Sequence, residues 1–109
     1  MSSKQESFNV WLLEPDKTHE CHIQLTSSNP IWDDVLYMSI CIIPEWYMLC
    51  RRPGTGLPVN KLASACINGN IEGSAIIYRK NKDSFLGINS TMKYNNILQK
   101  IKHKAICKK

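Results

Sequence analysis

Arg51 and Arg52 stand side by side before Pro53-Gly54-Thr55-Gly56, in a chain that holds only three arginines. Glycines expose backbone N–H groups and arginines grip phosphate oxygens in a bidentate fork, so this segment has the composition of an anion cradle. It lacks the G-x-x-x-x-G-K-[ST] spacing of a nucleotide-binding P-loop. By composition it reads more simply as an exposed connection between elements.

A second set of cations follows. Arg79, Lys80 and Lys82 gather at a predicted hairpin, and Lys93, Lys100, Lys102 and Lys104 recur along the last predicted helix. Clustered cations displace condensed counterions from nucleic acid and steer its approach, so this hairpin and helix are candidates to meet an anionic partner, with Arg51 and Arg52 as a second patch. The charge is split accordingly. Residues 1–45 hold two lysines against seven acids and residues 46–109 hold twelve basic residues against two acids, leaving −5 and +10. The competing reading is a solvated helix face with positive charge favourably near a helix C-terminus. Lys outnumbers Arg by 11 to 3, and Lys, Ile and Asn share A/T-rich codons, so base composition is a further source of lysine. No RNP1, helix-turn-helix or C2H2 pattern is present. Tyr78 and Tyr94 lie near the cations and have rings able to stack on bases, although Tyr94 falls on the predicted core face.

His19, Cys21 and His22, with His103 and Cys107 one helical turn apart, have the ligand types of a zinc site. The close C-x2-C pairing is absent, so neither a metal nor another cofactor is expected. Five cysteines and three histidines supply thiols and bases, yet no G-x-S-x-G elbow or cysteine-protease signature singles out a nucleophile. Asp33-Asp34 reads as helix-start charge in preference to an acid/base dyad. Trp46 and Tyr47, close to Arg51 and Arg52, match the composition of protein-interface hot spots. Were this segment an edge strand, it could pair with a protein partner or with a second copy.

These residues need a scaffold. Phe8–Leu13 and Cys21–Thr26 alternate in the manner of paired strands, joined by a turn at Pro15-Asp16. After the cap at Asn29 with Pro30 at the first helical position, Trp32, Val35, Leu36, Ser39, Ile40 and Ile43 fall at helical spacing, while the β-branched apolar run 35–43 fits a buried strand. Of the two, a helical turn over 30–34 followed by a strand over 35–43 is the reading taken, with another strand over 46–50. Val59, Leu62, Ala63, Cys66 and Ile67 recur at helical spacing, which predicts a helix over 58–67 closed by Asn68-Gly69. Residues 74–79 and 85–88 flank a turn at 80–83, and Tyr94, Ile97, Leu98, Ile101 and Ala105 form one arc of a helix over 91–106. The expected architecture is a single α+β domain, mainly antiparallel sheet covered by these two helices, with residues 1–6 as an N-terminal tail and 107–109 as a frayed basic end.

At 109 residues such a domain can bury a core without disulfides. The N-terminus lacks the apolar region of a secretory signal, and the apolar run Val35–Ile43 is far short of the roughly 20 residues of a membrane span. The odd, scattered cysteines fit reduced thiols in the cytosol or nucleus. The sequence therefore points to a non-catalytic intracellular binding protein for nucleic acid or an acidic protein. A small adaptor or inhibitor acting on a protein partner is the alternative, and a small enzyme with a dispersed site ranks last.

Overall fold

The computed structural model describes residues 7–107 apart from Pro53, Asn68, Asp83 and Ser90, with side chains through Ile101. The expected tail at 1–6 and the last residues, 108–109, lie outside it. Six antiparallel strands make one sheet: β1 (Ser7–Leu13), β2 (Cys21–Thr26), β3 (Tyr37–Ile43), β4 (Trp46–Arg51), β5 (Ala75–Asn81) and β6 (Ser84–Leu86). Two helices, α1 (Lys61–Ile67) and α2 (Tyr94–Cys107), complete the α+β fold that the sequence led us to expect.

The order is β2-β1-β5-β4-β3. β5 is the hub, paired with β4 on one side and on the other with β1 over Ala75–Ile77 and then β6 over Arg79–Asn81. Its Ala75-Ile76-Ile77-Tyr78 run is buried throughout, as a strand covered on both faces requires. Alternation divides the apolar side chains. Trp11, Leu13, Trp46, Met48, Cys50, Ala75 and Ile77 face the helices and pack with Ala63, Cys66, Tyr94 and Ile97. Val10, Leu49, Ile76 and Tyr78 face the other way, with Phe8, Tyr47 and Phe85 around them.

That second face is covered because β2 and β3 lie at opposite edges, so the chain between them must cross the sheet. Residues 27–36 reach about 33 Å when extended, against about 19 Å for four strand spacings. A single 3₁₀ turn, Pro30–Asp33, sits in this strap, capped by Asn29, whose Oδ1 accepts from the Ile31 amide at 3.0 Å. Trp32 is the strap's anchor. Its ring lies 4.9 Å from that of Tyr78 and 4.7 Å from that of Phe85, and its Nε1 donates to the Thr26 carbonyl at 2.8 Å.

Boundaries differ from the periodic reading for local reasons. α1 starts at Lys61 because Asn60 is its cap, accepting from the Ala63 amide at 3.0 Å, and Val59 sits outside the helix in a bridge to Glu72. At its end Gly69, which does not have positive φ, donates to the Ser64 carbonyl at 3.2 Å, and the expected stop at Asn68 lies outside the described residues. α2 starts at Tyr94, three residues later than its pattern suggests. Asn89 instead forms a local turn with Thr91, and the Tyr94 amide donates to Glu20 Oε2 at 3.1 Å. β5 extends through Asn81 because Lys80 and Asn81 pair with Phe85 and Ser84, leaving Lys82 (φ 54°) in the turn.

Candidate binding surfaces

Neighbours on a strand point to opposite faces, and this separates the hairpin cations. Arg79 lies on the helix side, its Nη2 3.2 Å from Glu45 Oε1 and its guanidinium carbon 5.3 Å from the centre of the Trp46 ring. Lys80 lies on the strap side, with Nζ 5.3 Å from the Phe85 ring. Lys82, Lys93 and Lys100 are exposed. The side chains of Lys102 and Lys104 lie outside the described residues.

Arg51 and Arg52 belong to the far end of the sheet. Trp46 pairs with Arg79 while Cys50 pairs with Ala75, so the length of β4, about 17 Å at about 3.4 Å per residue, separates Arg51 from Arg79. Arg51 sits 5.3 Å over the Tyr37 ring, and Arg52 Nε donates to the Val35 carbonyl at 2.9 Å. Tyr78 and Tyr94 are buried, so neither offers a ring for stacking on bases. Tyr78 instead donates to Ser39 Oγ, and Tyr94 donates to the Leu62 carbonyl, which ties α2 to α1.

The glycine loop after Arg52 does cradle an anion, and the anion is the chain's own. Glu72 Oε1 accepts from the Thr55 amide at 3.0 Å, the Thr55 hydroxyl at 2.8 Å and the Gly56 amide at 3.2 Å. Gly54 and Gly56 take positive φ to turn these amides inward. The hydrogen bonds, that of the Thr55 hydroxyl foremost, hold the Glu72 carboxyl below the usual glutamate range. Nothing in the sequence pairs this loop with Glu72. The strand order that brings Val59 and Glu72 together supplies the contact.

The metal candidates whose side chains are described do not converge. Cys21 and His22 are adjacent on β2 and so project to opposite faces, while His19 Nδ1 lies 2.7 Å from Thr18 Oγ1. Among the described residues no group of three or more His, Cys, Asp or Glu could hold a metal ion. The side chains of His103 and Cys107 lie outside the described residues. Burial raises the Cys50 and Cys66 thiols, which keeps both protonated and poor as nucleophiles. A surface depression of about 330 Å³, lined by Pro15, Asp16, Lys17, Thr18, Lys61 and Leu62, carries no buried base.

Trp46, Tyr47 and Arg51 do not lie on an edge. β4 is paired on both sides, and Trp46, Met48, Leu49 and Cys50 are buried, so edge pairing through this strand is closed. The open edge on this side is the neighbouring β3, which against the expectation of a buried strand over 35–43 holds no buried residue, because it has a strand partner on one side alone. From Val35 to Ile43 it carries no charge and no proline, and Val35 and Leu36 just before it are 78% and 53% exposed. Protein edges are ordinarily blunted by such residues. The Arg52 amide donates to the Leu36 carbonyl at 3.0 Å, which sets the ladder phase. Leu36, Met38 and Ile40 turn their backbone groups to β4, and Ser39 and Cys41 turn theirs to the open side. This edge escapes a sequence reading because strand order decides which strand is outermost.

No protein-family model matches the sequence, and neither a curated protein nor a solved structure matches it.

Proposed function

We propose that this chain is a non-catalytic binding protein that meets an anionic partner, nucleic acid or an acidic protein, through the lysines of its C-terminal part. Lys80 and Lys82 present charge at the β5–β6 hairpin, Lys93 does so before α2 and Lys100 on it, and Lys102 and Lys104 follow in the sequence of the same helix. One observation carries the reading. Among the described residues the ion pairs are His22–Glu20 and Arg79–Glu45, and no described lysine takes part in either, so Lys82, Lys93 and Lys100 keep their charge outside ion pairs while Lys80 lies over the Phe85 ring. Arg79 is committed to Glu45, which makes it a lesser contributor, and Arg51 and Arg52 serve as a separate patch at the other end of the sheet. A cytosolic or nuclear location fits the free thiols of Cys21, Cys41, Cys50 and Cys66.

The test compares a mixed-sequence nucleic acid with polyglutamate as probes. Binding to either at low salt that weakens when Lys93, Lys100, Lys102 and Lys104 become Ala supports the reading, and the preferred probe identifies the partner class. Absence of binding to both at low salt overturns it.

A protein partner at the β3 edge is a second reading, favoured by the exposure of Val35 and Leu36 beside an uncharged strand. A photo-crosslinker placed at Leu36 should then form adducts that the same group at Gln24, on the other edge, does not. Equal labelling from the two edges would count against it.

A further inference from the structure

We infer that the β3 edge pairs with the β3 edge of a second copy, antiparallel about a two-fold axis through Ile40. The inference rests on the second reading above and is independent of the lysines.

The backbone phase selects this register. The groups facing the open side belong to Ser39 and Cys41, while the Tyr37 amide is already used by the Asp34 carbonyl at 3.1 Å. Centring the pair on Ile40 sets Ser39 opposite Cys41 of the other copy, and Cys41 opposite Ser39. Four backbone bonds then form from groups that have no role in the β4 ladder. A register centred on Ser39 would call on the Tyr37 amide, which is taken.

Side chains agree with the same axis. Ile40 meets Ile40 in the close, non-hydrogen-bonded position on the helix side, flanked by Met38 and Ile42, all partly buried beside the core. Ser39 and Cys41, both exposed, meet on the strap side. Identical strands without charge face each other free of repulsion. Arg52, held against Val35, comes to the end of the partner strand that carries Glu45, whose side chain is 42% exposed. Asp33 and Asp34 share the Arg52 end, so the net electrostatic contribution is small and the association should be only weakly sensitive to salt. One strand edge covers less than the roughly 800 Å² per partner of a standard interface, which places the pair among the weak, transient associations.

Sedimentation velocity over a concentration series, from low to high micromolar, is the primary test, read beside variants of this edge. Ser39→Pro removes an edge-facing donor and leaves the β4 ladder intact, at a position where a strand tolerates proline. Ser39→Ala, which removes only the Oγ that accepts from Tyr78, is its control and should leave the dimer in place. Circular dichroism verifies the fold of both. In a Cys41→Ser background, Ile40→Cys should form a disulfide-linked dimer on mild oxidation, because the close pair places the two Cα atoms within bridging range. Met38→Cys in the same background should link several-fold less. Self-pairing is supported by a concentration-dependent dimer that Ser39→Pro shifts to monomer, with cross-linking strongest at position 40. It is overturned by a chain that stays monomeric at high micromolar concentration, or by a dimer that Ser39→Pro leaves unchanged or that does not favour linkage at position 40. A monomer that still cross-links from Leu36 to a different protein overturns self-pairing while sparing the wider edge reading.

Discussion

Asn60 is the buried polar side chain among the described residues, and three elements meet on it. It is fully buried, its Nδ2 donates to the Leu13 carbonyl at 2.9 Å and the Gly73 carbonyl at 2.8 Å, and its Oδ1 caps α1. The end of β1, the start of α1 and the entry to β5 thus meet at one amide. Asn60→Ala should lower stability by about 3 kcal/mol, combining a lost cap with two carbonyls left without their donor. Asn60→Asp keeps a good capping group but turns a carboxylate toward those carbonyls, so in urea denaturation it should be at least as damaging. A benign Asp variant would show that the cap alone matters. Glu72 acts on the loop through charge. Because its folded-state pKa is depressed, its contribution is present above the usual glutamate range and is lost as pH falls through the lower, folded value. The Thr55 and Gly56 amide resonances should titrate with an acidic midpoint below that of an ordinary glutamate, and Glu72→Gln should abolish that transition. Persistence of the transition in the variant would assign it to another group.

At the scale of elements, alternation along β1 and β2 was legible, as were the strand β4 and the turn at Asn29-Pro30 that the strap contains. Each is fixed by neighbours in the chain. The true start of α2 was not legible, because its first amide is capped by Glu20 from before β2, a partner supplied only by tertiary structure. The same holds at α1, where a cap at Asn60 overrides a helical pattern that includes Val59. Among the candidate residues, the cations were visible as composition. Their division between two faces and two ends of the sheet depends on strand parity and order, which periodicity alone leaves open. For that reason the edge that was raised as a condition for the segment 46–52 belongs instead to β3. The strap gives an element-level expectation: Trp32→Ala removes a ring that packs on Phe85, Tyr78 and Phe8 and should cost about 3 kcal/mol. A loss under about 1 kcal/mol in urea denaturation would mean that the strap does not close this face.

The whole molecule has one sheet face sealed by two helices and the other by a crossing segment, so its chemistry is left to edges, turns and the outer side of α2. Burial withholds Cys50, Cys66, Tyr78 and Tyr94 from solvent, and Glu72 fills the loop that resembles an anion site. Under the proposed function Lys80, Lys82, Lys93 and Lys100, described lysines outside the ion pairs, would meet the anion, and a dimer through β3 would bring two such sets into one assembly. The most direct test of the account is the dependence of nucleic-acid affinity on salt. Each phosphate contact contributes a slope of about −0.9 to log K against log salt on duplex DNA. The unaltered chain should show a steep negative slope, and replacing Lys93, Lys100, Lys102 and Lys104 by Ala should make it shallower by about one for each lysine that contacts phosphate. An affinity that is flat with salt, or a slope that the four substitutions leave unchanged, would contradict the account.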